Sequence, residues 1–170
     1  ASIAIGETAK ATANNSIAMS KAAIAAADDS IAIGKNASVD ANQQRSIALG
    51  ANSKTDNVVS TPNQLVNGLW YKNYAGGSAD STLSVGSDTL KRTITNVAAG
   101  RVNAQSTDAI NGSQLYGVAN AVGNVANSTK NILGGNAKVD QNGTITMTNI
   151  GDTGKNTVHE AIKSANSGWE

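Results

Sequence analysis

The motif Ser-Ile-Ala-Ile-Gly returns at short, nearly fixed intervals, and this recurrence restricts the fold more than any single residue does. Four copies open the chain: Ala1-Ser2-Ile3-Ala4-Ile5-Gly6, Asn15-Ser16-Ile17-Ala18-Met19-Ser20, Asp29-Ser30-Ile31-Ala32-Ile33-Gly34 and Arg45-Ser46-Ile47-Ala48-Leu49-Gly50. Their serines lie 14, 14 and 16 residues apart. A unit this short cannot bury an apolar face by itself, so the repeat predicts rungs stacked into a solenoid. Within each copy large and small residues alternate with the period of a strand. Judged by size, the Ile, Met and Leu residues at the third and fifth places are expected to fill the rung interior. Ser and Ala at the second and fourth are then expected to face outward, where small side chains let a neighbouring chain approach. Gly ends three of the four copies, as a turn with positive φ requires, and Ser20 ends the other. The weaker stretches Ala9-Lys10-Ala11, Ala22-Ala23-Ile24-Ala25, Ala37-Ser38-Val39 and Asn52-Ser53-Lys54 supply a second strand per rung.

Composition limits what else the chain can build. Of 170 residues none is Phe, aromatics make up 3%, and the 39% apolar fraction is mostly Ala, Val and Ile, so one chain lacks the large side chains of a deep core. Burial between identical chains is the remaining source, which predicts an obligate oligomer. A formal net charge of +1 with interspersed signs offers no basic stripe for nucleic acid. The absence of Cys excludes disulfides and thiolate metal sites. No stretch reaches the roughly 20 apolar residues of a membrane span, and Ala1 onward lacks the pattern of a signal peptide. The chain is expected to be a segment, beginning inside one repeat and stopping within a pattern at Trp169-Glu170.

From residue 57 to residue 80 the repeat lapses, and Trp70, Tyr71 and Tyr74 fall in this insert. Two readings suit them: a cap packed over the open end of the solenoid, or an exposed ligand anchor. The motif then returns once as Ser81-Thr82-Leu83-Ser84-Val85-Gly86. A different period follows. Asp108, Asn111, Leu115, Val118, Val122, Val125, Thr129 and Ile132 are spaced 3, 4, 3, 4, 3, 4, 3, a heptad seam whose valines suit trimers over dimers. Gly117 and Gly123 cost such a helix about 1 kcal/mol each, so it needs an assembly. The seam breaks at Leu133-Gly134-Gly135, and Lys138 to Met147 reads as a hairpin centred on Asn142-Gly143. Helix resumes at Val158, Ile162, Ala165 and Trp169, but the 26 residues from Ile132 to Val158 are not a whole number of heptads, so its seam is offset from the first.

Chemistry finds little support in the residues. His159, the single histidine, stands outside the repeats with no nucleophile or second base beside it. Gly76-Gly77 and Gly134-Gly135 lack the Lys and the setting of a phosphate loop, and Asp28-Asp29, Asp40 and Asp56 lack calcium-loop spacing. No metal site is expected. Asn111 is open to two readings. Three copies at a seam meet near a trimer axis, where their amides either surround an anion or only fix register. Its replacement by Val or Ile is expected to raise thermal stability while loosening register at the junction, and a steep fall would mark an indispensable polar or ion site.

The junction resembles a known family. Arg92-Thr93-Ile94-Thr95-Asn96-Val97-Ala98-Ala99-Gly100, followed by Thr107-Asp108-Ala109-Ile110-Asn111 and Gln114-Leu115, is similar to the neck of trimeric autotransporter adhesins. The 14-residue rungs resemble the YadA-type head repeat, the insert resembles the head insert motif, and Leu133 onward resembles the FGG element of adhesin stalks. The resemblance implies a homotrimeric, left-handed parallel β-roll head, a neck and a trimeric coiled-coil stalk interrupted by a small β element. Its parts would be head repeats 1–56, insert 57–80, returning strand and neck 81–115, coiled coil 116–133, β insertion 134–157 and restarted coiled coil 158–170. Arg92, Asn96, Asp108, Gln114 and Leu115 would form the neck, and Ser167-Gly168-Trp169 the entry to a further, Trp-ring module. The implied function is attachment of a bacterium to matrix proteins such as collagen, fibronectin or laminin, or to other surfaces, from the outer face of the outer membrane. Asn15, Ser16, Lys21, Asp29, Ser30, Lys35 and Arg45 on the rungs are the candidate contacts. A spacer that projects a separate head is the alternative. A trimeric β-helix acyltransferase is a third, disfavoured by rung length and by the placement of His159. No cofactor is expected beyond the anion at Asn111.

Overall fold

The computed structural model describes residues 1–168; the seam position and module entry expected at Trp169 lie outside them. The chain forms two units, one ending at Asp108 and one beginning at Ala109.

The first unit is a β-solenoid. Its strands are β1 (Ile3–Ile5), β2 (Lys10–Ala11), β3 (Ile17–Met19), β4 (Ile24–Ala25), β5 (Ile31–Ile33), β6 (Ser38–Val39), β7 (Ile47–Leu49), β8 (Gln64–Val66), β9 (Leu69–Tyr71) and β10 (Leu83–Ser84). One parallel sheet runs β1-β3-β5-β7-β10 and the other β2-β4-β6. Register follows the repeat: Ile3 pairs with Ile17, Ile17 with Ile31, Ile31 with Ile47, and Ile47 with Leu83 across the whole insert. The returning motif therefore supplies the last rung, and Lys54 N–H reaches the Gly86 carbonyl at 2.7 Å to extend it.

The faces of the strands are the reverse of the expectation from size. Ala18, Ala32 and Ala48 are wholly buried, as are Ser16, Ser30 and Ser46, whereas Ile3, Ile5, Met19 and Leu49 are exposed and Ile17, Ile31, Ile33 and Ile47 half-buried. The interior is only wide enough for Ala23, Ala25, Ala27, Ala37 and Val39 from the opposite sheet and its turns. Two sheets this close exclude a second layer of Ile, so the small residues point in and the large ones out. The buried serines are satisfied locally: Ser16 Oγ donates to the Ala13 carbonyl at 2.7 Å and Ser30 Oγ to the Ala27 carbonyl at 2.6 Å. Thr55 Oγ1 donates to Gln43 Oε1 inside the fourth rung.

The turns carry the backbone cost of this narrowness. Gly34 has φ +127°, and a Cβ there would lie 2.4 Å from the Gly50 carbonyl carbon of the next rung. Ser20 takes the equivalent place with φ 104°.

In the insert, β8 and β9 form an antiparallel hairpin around Asn67-Gly68. Trp70, Tyr71 and Tyr74 stay exposed, so they do not cap the solenoid within the chain; β10 covers its end instead.

The second unit begins with α1 (Gly112–Leu133) and continues through β11 (Lys138–Val139), β12 (Ile145–Thr146) and a short 3-10 turn, Ile150–Asp152, to α2 (Val158–Ser167). Helix α1 starts at Gly112, ahead of the expected residue 116. Gly134 ends it with φ 67° and an N–H donated to the Lys130 carbonyl. In the hairpin β11–β12, Asp140 Oδ1 accepts from Asn142 N and Thr144 N to shape the Asn142-Gly143 turn. Thr157 caps α2 through Glu160 N at 3.2 Å. No residue of α1 is buried.

Candidate adhesive surface

The solenoid turns arrange polar side chains in columns, because each rung repeats the position of the one before it. One column precedes the core strands: Asn15, Asp29 and Arg45, all with φ between 54° and 61°. Asn15 Nδ2 donates to Asp29 Oδ1 at 3.2 Å, joining two rungs. The other column follows the strands. There Lys21 Nζ donates to Glu7 Oε2 at 2.7 Å, and Lys35 stands one rung on, exposed. Among the described residues Lys35 and Arg45 take part in no ion pair, which leaves their charge available to solvent or a ligand. Ser16 and Ser30 are removed from the candidate surface. Both lie in the rung interior, where their hydroxyls are committed to turn carbonyls.

Between the columns runs a row of aliphatic side chains facing out of the sheet: Ile3, Ile17, Ile31, Ile47 and Leu83, with Ile5, Met19, Ile33 and Leu49 beside it. Leu115, Val118, Val122, Val125 and Ile132 form a comparable row on α1, Leu115 being 66% exposed. Rows of this extent on a folded chain mark an interaction surface.

The neck residues divide into several roles. The Arg92 guanidinium closes over the last rungs, donating to Ser53 Oγ at 3.0 Å and to the carbonyls of Val85 at 2.5 Å and Ala51 at 2.7 Å. Asn96 takes the left-handed conformation, φ 60°, that Asn tolerates better than most residues. Asp108 belongs to no helical seam: it forms a two-pronged pair with Arg101, Nε to Oδ2 at 2.7 Å and Nη2 to Oδ1 at 3.0 Å. Arg101 holds the Asp108 carboxyl below the usual carboxylate range through its side chain first and its backbone N–H second. Asn111 is the N-cap of α1 and not a residue within its seam. Its Oδ1 accepts from Ser113 N and Gln114 N, and the Gln114 side chain accepts from Asn111 N at 3.3 Å, so the two close a capping box. Leu115 is thus the first seam residue inside the helix.

Sequence comparison bears on what this arrangement is. A family described as the YadA head domain repeat matches residues 1–19, 21–37 and 41–57, and one described as the coiled stalk of trimeric autotransporter adhesin matches residues 93–138. Together they take in more than half of the chain. The chain belongs to the trimeric autotransporter adhesins. Within that family it is 51% identical over 76 residues to autotransporter adhesin BtaE of Brucella suis, covering 45% of this chain and 10% of that protein. To the trimeric autotransporter adhesin AtaA of an Acinetobacter strain it is 50% identical over 95 residues, covering 55% of this chain and 2% of that protein. The chain thus spans a tenth or less of these adhesins. A solved structure, the C-terminal YadA-like domain of BPSL2063 from Burkholderia pseudomallei, superposes with a TM-score of 0.59 at 37% identity, over 74% of this chain and 55% of that one. The adhesin's described residues contain no helix long and apolar enough to cross a membrane.

Two features lie outside the repeat and heptad periodicities. The hairpin β8–β9 was signalled by Asn67-Gly68 between apolar runs. The Arg101–Asp108 pair was not signalled at all, because no periodicity links residues across an irregular segment.

Proposed function

We propose that this adhesin segment acts as a homotrimer on the bacterial surface, attaching the cell to host matrix proteins such as collagen, fibronectin or laminin, or to other surfaces. The aliphatic row on the solenoid carries the reading. It is too extensive to leave in water, and a copy of the same chain presents the matching row. With the rows turned toward the axis, the polar columns are left outward, where Asn15, Lys21, Asp29, Lys35 and Arg45 meet a ligand. Each contact is weak because these side chains stand exposed on turns. Repetition on three faces raises avidity without strengthening any one contact. The rest of the protein would anchor the trimer in the outer membrane, and no step of this function calls for catalysis.

The test is surface-plasmon binding of the chain, fused in register to a trimeric coiled coil, to immobilised collagen, fibronectin and laminin, with the fusion partner alone as control. Binding to at least one of them supports attachment; binding to none favours the spacer. Lys35→Glu together with Arg45→Glu should weaken attachment about tenfold or more while the melting temperature stays unchanged, since both side chains are exposed.

A further inference from the structure

We propose that the cleft between the insert and the linker that follows the neck motif binds an anionic sugar residue. This goes beyond attachment through the rungs, because none of the rung columns contributes to it. The cleft is open, about 530 Å³, with Lys72, Asn73 and Tyr74 on one wall and Asn103 and Ser106 on the other.

Both walls are fixed by the backbone. Asn73 N donates to Asn63 Oδ1 at 3.0 Å and Tyr74 N to the Pro62 carbonyl at 3.1 Å, while Gly77 N returns to the Tyr74 carbonyl at 3.2 Å. Across the cleft, Gln105 N donates to Asn103 Oδ1 at 3.0 Å and Asp108 N to Ser106 Oγ at 3.2 Å, and the Arg101–Asp108 pair closes that loop at its base. The two segments also approach closely: a Cβ placed on Gly76 would lie 3.1 Å from the Thr107 methyl. The shape therefore belongs to the fold and not to two independent loops.

The lining selects the ligand. Among the described residues no carboxylate lines the cleft. Lys72 is in no ion pair among the described residues, and its ammonium stands 6.0 Å from the centre of the Trp70 ring, near the outer limit at which an aromatic face holds a cation without neutralising it. Tyr74 lines the cleft and is 42% exposed, so an aromatic side chain is on offer to the C–H side of a pyranose. Amide and hydroxyl groups of Asn73 and Ser106 pair with sugar hydroxyls, and a carboxylate or sulfate on the ring takes Lys72 through a charge-assisted bond. A peptide gains less, since no enclosed apolar pocket admits its side chains.

Ligand-observed NMR titration of the whole chain tests this, with 3′-sialyllactose and a heparin hexasaccharide as anionic sugars, lactose as the neutral one and polyglutamate as an anion without sugar. Binding of one or both anionic sugars is expected with a Kd on the order of millimolar, as suits a shallow exposed site. Lys72→Gln and Tyr74→Leu should each reduce affinity by about tenfold, with melting unchanged. The proposal is overturned if neither anionic sugar binds, if lactose binds as tightly, if polyglutamate displaces the sugar as well as the sugar itself does, or if both variants bind like the parent. Charge reversal at Lys35 and Arg45 should leave the titration unaltered, which separates this site from attachment through the rungs.

Discussion

The solenoid and helix α1 are both built on a short repeat, yet they complete themselves to different degrees. Each solenoid rung bonds to the next through its backbone, Ile17 N to the Ser30 carbonyl at 2.9 Å and Ile31 N to the Ser46 carbonyl at 3.0 Å, and shares a buried interior of Ala, Ser and Val. Helix α1 satisfies its backbone and both caps but buries nothing. The stack therefore has a core of its own and leaves one apolar row over, whereas the helix has only the row. Association is an addition to the first and a condition for the second, because an isolated helix of this composition, with Gly117 and Gly123 inside it, is marginal in water.

The sharpest way to break this contrast is to place the same charge on the two faces of one strand. Ala32→Asp puts an unpaired carboxylate into the rung interior and should cost about 3–5 kcal/mol, abolishing the strand signal in circular dichroism and amide protection across the neighbouring rungs. Ile31→Asp, one residue away on the outward row, should leave rung protection in place and raise the concentration at which the assembly dissociates. Equal loss of rung structure in both variants would show that the two faces are not distinct.

A smaller effect sharpens the helix side. Asn111→Ala removes the cap and should lower stability by about 1 kcal/mol, measured by thermal or urea melting of the assembly. Asn111→Val should do the same, reversing the stabilisation expected if Asn111 were a buried seam amide. A rise in stability with Val would return Asn111 to the seam.

Least in size is a pH effect at the Arg101–Asp108 pair. Asp108 has a folded-state pKa below its unfolded value, so its contribution is present above the unfolded pKa and fades as pH falls through the folded one. The pair is exposed, so salt should shrink the effect. Melting followed through the acid range should show Asp108→Asn losing less stability than the parent as pH drops, and parallel curves would count against the pair.

These outcomes also mark what the residues disclosed. Spacing was legible: the serine intervals of 14 and 16 residues are the register of the sheet, and the break at Leu133-Gly134-Gly135 is the end of α1. Facing was not, because alternation is symmetrical and size alone favours putting Ile inside. The clue lay in the unvarying Ala18, Ala32 and Ala48, since a column of Ala with no larger residue among them fits an interior too narrow for one. At Asn111 the heptad count ran on past the helix because an N-cap falls on the same 3-and-4 spacing, although Asn111 and Gln114 already spelled a capping box. Among the candidate contacts, Lys35 and Arg45 were legible as turn charges, while Ser16 and Ser30 were misplaced by the same inversion that misplaced the Ile residues.

Sedimentation equilibrium of the whole folded chain tests most directly whether both apolar rows are covered by copies of the chain. Three chains per particle are expected, with dissociation accompanied by loss of the α1 signal at 222 nm in the same samples. A folded monomer that keeps its helix, with Leu115, Val122 and Ile132 in water, would contradict the account.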